Sequence, residues 1–194
     1  MLDDEKVASI LAAAYTCFTH HGVRRTTMDD IAREAGMSRP AVYHYVRNKE
    51  DAFRRLVERL LTDTLDQARS AARDATLDER LSAILSCKLA LVSKVWADSP
   101  AHAPELLGPD TRLSADMIRK FDDGMLELIS GEIGAEHPYT DAREVAEILL
   151  ALTRGLEANL ADAAIPADRL DRGVRLVVAG LSTSGTPETL GTFT

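Results

Sequence analysis

Thr27-Met28-Asp29-Asp30-Ile31-Ala32-Arg33-Glu34-Ala35-Gly36-Met37-Ser38-Arg39-Pro40-Ala41-Val42-Tyr43-His44-Tyr45-Val46 packs two helix starts and a turn into one short stretch. Thr27 and Asp30 have the spacing of a capping box: the hydroxyl accepts an orphan backbone N–H and the carboxylate reaches back to the cap. Ile31 and Ala32 follow on the side to be buried. Gly36 escapes the Cβ penalty of a positive φ, so the first helix is expected to end there. Ser38 is a favourable N-cap, and Pro40 is tolerated in a first turn, where its missing N–H has no helical partner. The second helix is therefore short, about 38–46, with Val42 facing its neighbour. Ala32 is small where the two would cross. This is the pattern of a helix-turn-helix, in which one helix braces and the next presents an exposed face to the major groove.

On the N-terminal side, Val7, Ile10, Leu11, Ala14 and Phe18 recur at the spacing of one helix face, with a stop near Gly22. Cys17 shares that stripe and reads as a small core residue rather than a redox sensor, and a disulfide with Cys87 is not expected in a reducing compartment. On the C-terminal side, Asn48-Lys49-Glu50-Asp51 repeats the cap signature. Phe53, Leu56, Val57, Leu60, Leu61, Leu65 and Ala68 then continue as one long stripe. Further helices are expected near 77–97, 102–107, 112–132, 140–161 and 167–181, separated by Pro, Gly and Asp clusters.

The chain of 194 residues is 45% hydrophobic and only 5% aromatic, rich in Ala, Leu, Arg and acidic residues, and lacks period-two runs of Val, Ile and Thr. It is expected to be all-α, with about nine helices. The expected organisation is a three-helix head at 1–50, a helical ligand-binding and dimerisation body at 51–182, and a disordered tail at 183–194.

The formal net charge is −8, yet residues 1–50 carry seven basic and seven acidic residues, so the whole excess lies beyond them. Between Arg24 and Lys49 six basic residues face three acidic ones. An acidic body with a locally basic head suits a protein that meets phosphate at one end only. The acidic start and the lack of an 18-residue apolar run give no sign of a signal peptide or membrane span, so a cytoplasmic location is expected.

The run Gly22-Val23-Arg24-Arg25-Thr26-Thr27-Met28-Asp29-Asp30-Ile31-Ala32, followed by Ser38-Arg39-Pro40-Ala41-Val42-Tyr43-His44-Tyr45-Val46 and Lys49-Glu50, resembles the head of the tetracycline-repressor (TetR) family. The resemblance covers about residues 7–60. Val46 departs from it slightly, standing where an aromatic is common. The resemblance implies a homodimer formed by the last two long helices, a pseudo-palindromic operator, and repression relieved when a small molecule fills the body.

The DNA-contacting candidates are Thr27, Ser38, Arg39, Pro40, Ala41, Tyr43, His44, Tyr45 and Lys49. Arg39 can offer a planar guanidinium to guanine O6 and N7, or instead bind phosphate. Tyr43 and Tyr45 can lend hydroxyls to phosphate, Lys49 adds charge, and the Thr27 cap brings backbone N–H groups to the same surface. Of the two tyrosines, Tyr43 is favoured, since either could pack internally. His44 belongs to the DNA surface or to solvent.

In the body, Val145, Leu149, Leu152 and Leu156 line one helix and Val174, Val177, Val178 and Leu181 the last, giving a four-helix dimer interface unless they bury within one subunit. Ala151 and Gly155 would let a neighbouring helix approach closely. Trp96, Met117 and Phe121 are candidates for an effector pocket, with core packing as the alternative. No nucleophile elbow, phosphate loop or HExxH motif is present, and no Glu precedes a His by three residues, so catalysis has no visible carriers. No metal or cofactor is expected. The rival reading is a helical adaptor whose head binds protein rather than DNA.

Overall fold

The computed structural model describes residues 2–71, 75–107, 114–157 and 167–183. All regular structure among them is helical: α1 Leu2–His21, α2 Met28–Glu34, α3 Arg39–Tyr45, α4 Lys49–Ala71, α5 Leu77–Asp98, α6 Ala103–Leu107, α7 Ala115–Glu136, α8 Ala142–Glu157 and α9 Ala167–Thr183. The expected helix over 112–132 begins at Ala115 and runs one turn further. The last helix extends to Thr183, so the expected tail loses its first residue to α9; residues 184–194 lie outside the described residues, as does the end of the helix expected to reach 161.

By packing, the chain forms two units, one of 1–66 with 90–123 and the other of 67–89 with 124–194. The grouping differs from the expected division at residue 50 because α4, α5 and α7 each contribute segments to both.

In the first unit α1, α2 and α3 pack against one another over a core of Ile10, Ala14, Phe18, Ile31, Val42, Val46, Ala52 and Phe53, all at most 1% exposed. The Phe18 and Phe53 rings meet edge to face, centroids 5.8 Å apart. Val46 does fill the buried role its position requires. Cys17 is 4% exposed within the same core, and neither cysteine forms a disulfide.

The second unit buries Leu81, Ile84 and Leu85 of α5, Met125, Ile129 and Ile133 of α7, Leu149 of α8, and Leu170 and Val174 of α9. Within it Lys88 and Glu157 form an ion pair at 3.0 Å, with side chains only 10% and 15% exposed. Arg80 grips Glu132 at 2.8 Å and Glu136 at 2.6 Å. Helices α8 and α9 pack together, and the close approach falls at Gly173, where an added Cβ would stand 2.5 Å from Leu152 Cδ2. Within this chain nothing lies within 4 Å of a Cβ placed on Gly155.

Candidate nucleic-acid interface

The capping box forms as expected. Asp30 N–H donates to Thr27 Oγ1 at 3.2 Å, and Thr27 N–H donates to Asp30 Oδ2 at 3.0 Å. The Thr27 hydroxyl, donating to Asp30 Oδ2 at 2.6 Å, and after it the Thr27 backbone N–H hold the Asp30 carboxyl below the usual carboxylate range. Gly36 adopts φ 63°, the left-handed turn that places α3 across α2. Ser38 Oγ accepts Ala41 N–H at 3.3 Å, and Pro40 sits in the first turn.

With Val42 buried, α3 turns Ser38, Arg39, Pro40, Tyr43 and His44 outward. Thr27, the N-cap of α2, is exposed as well. Ala41 is half-buried. Tyr43 is 40% exposed. Tyr45 packs partly on the core, its hydroxyl reaches Asp3 at 3.3 Å, and Lys6 stands 5.8 Å from its ring centroid. Its position on the opposite flank of a short helix brings it against α1. Lys49 is also committed, donating from Nζ to the Arg24 carbonyl at 3.0 Å and pinning the α1–α2 loop to the start of α4.

The Arg39 guanidinium donates from Nη1 to Asp29 at 3.2 Å and from Nη2 to the Tyr43 hydroxyl at 3.3 Å. Those two partners, the Tyr43 bond foremost, raise its already high pKa. Asp29 was not a site candidate in the sequence; its signal is an acid two residues into α2, across the turn from a basic residue opening α3.

Of the pocket candidates, Met117 and Phe121 line a cavity of about 160 Å³ with Glu58, Leu61, Thr62, Leu65 and Lys120. Trp96 is not in its wall and packs instead on the core of the first unit. Among the dimer candidates, Val145, Leu149 and Val174 are at most 9% exposed within their own unit, so they face inward. Leu152, Leu156, Val177, Val178 and Leu181 are half-buried, while Ile148 is 51% and Leu176 69% exposed on the same two helices.

A polar cavity of about 290 Å³ brings together His20, His21, Arg25, Asp30 and His102, a neighbourhood that sequence distance concealed. Among the described residues no group of three or more His, Cys, Asp or Glu is placed to hold a metal ion, and no helix is long and apolar enough to cross a membrane.

Two short helices joined by a left-handed glycine, with an exposed polar face on the second, define a helix-turn-helix head. Residues 10–56 match the model of the "Bacterial regulatory proteins, tetR family", so this head is similar to the head of that family. It is 37% identical over 82 residues to YfiR of Bacillus subtilis, an uncharacterized HTH-type transcriptional regulator, a match covering 42% of this chain and 40% of that protein. The chain spans about two fifths of the length of the curated relatives it matches.

The fold likeness reaches further. A Pseudomonas aeruginosa PAO1 protein assigned as a transcriptional regulator superposes with a TM-score of 0.75 at 19% identity, covering 93% of this chain and 91% of that one. FadR of Bacillus subtilis, solved in complex with stearoyl-CoA, gives 0.70 at 18% identity over 89% and 98%.

Proposed function

We propose that the protein is a sequence-specific DNA-binding transcriptional regulator, acting as a homodimer on a palindromic operator and working in the cytoplasm. The observation that carries this reading is the outward face of α3: Ser38, Arg39, Pro40, Tyr43 and His44 are all exposed on a helix held by two capped turns. Arg39 supplies direct base readout, while Tyr43 and the backbone at the Thr27 cap position the head on phosphates.

Dimerisation by α8 and α9 is supported by the apolar residues they leave exposed, Ile148 and Leu176, beside half-buried Leu152, Leu156, Val177, Val178 and Leu181. Two heads placed about 34–36 Å apart would meet successive major grooves. The cavity at Met117 and Phe121, walled by Leu61 and Leu65 and edged by Glu58, Thr62 and Lys120, supports binding of a small effector with an apolar part; FadR of Bacillus subtilis, of like fold, holds the much larger stearoyl-CoA. By resemblance to the family, the effector releases a repressor from its operator. This is a regulatory rather than a catalytic role.

Selection from a random duplex pool, followed by anisotropy titration of the enriched sequence at several salt concentrations, tests the proposal. An inverted repeat bound by an even number of subunits, with affinity falling steeply as salt rises, is expected. A folded dimer that enriches no sequence overturns the DNA reading and favours the adaptor, whose partner binding would be insensitive to salt.

A further inference from the structure

The side chain best placed to read a base is already engaged. Arg39 opens α3, Asp29 is the second residue of α2, and the two meet across the turn at 3.2 Å. Tyr43, one turn along α3, takes the other terminal nitrogen at 3.3 Å, with its ring centroid 5.4 Å from the guanidinium carbon. Each terminal nitrogen therefore has one of its two N–H groups bonded to the protein's own surface, which turns the fork toward Asp29 and Tyr43.

We infer that Asp29 is a specificity-determining residue: it parks Arg39 across the turn, so that a base offering two aligned acceptors releases the guanidinium and an isolated phosphate does not. The inference rests on reading the head as DNA-binding.

Magnitudes favour such a gate. Asp29 and Arg39 are each 56% exposed, and an exposed ion pair is worth no more than about fivefold in an equilibrium. A good bidentate contact to guanine discriminates by roughly five- to 150-fold, enough to open the pair with affinity to spare. A single phosphate contact on arbitrary sequence gains about as much as the pair it must break. The latch therefore subtracts most of Arg39's contribution from non-specific complexes and little from the correct one. Asp29 acts through Arg39 and touches no DNA, which makes it a positioning residue.

A charge near the duplex also repels phosphate wherever it stands, and Asp29 lies in the first turn of α2, where the helix dipole favours it. A double-mutant cycle removes both ordinary effects. The wild-type chain, Asp29→Asn, Arg39→Ala and the double variant are titrated against the duplex enriched by the wild type and a scrambled duplex of the same composition, with thermal melts to establish folding.

Asp29→Asn is expected to tighten the scrambled duplex two- to fivefold more than the enriched one, lowering the specificity ratio. In the Arg39→Ala background the same change should move both duplexes equally. Asp29→Glu, which keeps the charge in reach, should restore the ratio. If wild type discriminates and Asp29→Asn discriminates equally well, or shifts the ratio alike in both backgrounds, the latch is overturned and the DNA reading stands. A wild-type chain that binds neither duplex overturns both.

Discussion

The Glu105 carboxylate accepts the backbone N–H of Val23 at 3.0 Å, tying the α1–α2 loop to α6 across 82 residues of sequence. His102 Nδ1 stands 3.6 Å from the same carboxylate, and Gly22, at φ 77°, leaves room for it: a Cβ there would lie 2.9 Å from that nitrogen. Glu105→Ala should cost about 1 kcal/mol of stability, discounted for a side chain 36% exposed. It should also weaken operator binding severalfold by loosening the loop that precedes Thr27. Urea denaturation alongside anisotropy titration checks both; unchanged DNA affinity would show that the tie does not position the head.

The Lys88–Glu157 pair predicts an asymmetry. Lys88→Met takes away the cation 3.0 Å from a largely buried carboxylate and should destabilise more than Lys88→Met combined with Glu157→Leu, which removes both charges together. Chemical denaturation of the three proteins measures it, and a double variant as unstable as the single would refute the account.

At Gly173, alanine gains about 1 kcal/mol of helix propensity but drives its Cβ into Leu152, which must leave its rotamer. Gly173→Ala should therefore be neutral or destabilising alone and stabilising by about 0.5–1 kcal/mol beside Leu152→Ala. Thermal melts across that cycle would show no coupling if α8 and α9 were further apart than described.

Burial, reinforced by the charges of Glu34 and Asp30, pushes the Cys17 thiol up to about 11 from an ordinary 9.0. The unfolded chain then releases this proton first, so stability should fall as pH rises from about 9 to 11, by roughly 2 kcal/mol in all. Cys17→Ala should flatten the decline, and stability measured against pH in both proteins tests the sign.

The head was legible because its signals are local. Thr27, Gly36, Ser38 and Asn48 each dictate backbone geometry within a few residues, and each does so in the structure: Asn48 Oδ1, for example, accepts Asp51 N–H at 2.7 Å. Side-chain partners were less legible. Helical periodicity placed Val145, Leu149 and Val174 on apolar stripes, but a stripe does not say whether its partner is the same subunit or another. Tyr43 and Tyr45 are equally apt by type, and only the position of α1 separates them. The meeting of His20, His21 and His102, and that of Asp29 with Arg39, depend on how elements pack, which spacing along the chain does not record.

Val42 alone is buried among the seven residues of α3. Too short to persist by itself, this helix is held by Val42, by Tyr45 packed partly on the core, by the buried Val46 at its C-cap and by a capped turn at its start. Its outward residues therefore carry almost no packing duty. On the DNA-binding reading proposed above, such a design separates vocabulary from grammar: the exposed positions could be rewritten for a new DNA sequence while the scaffold beneath stays unedited.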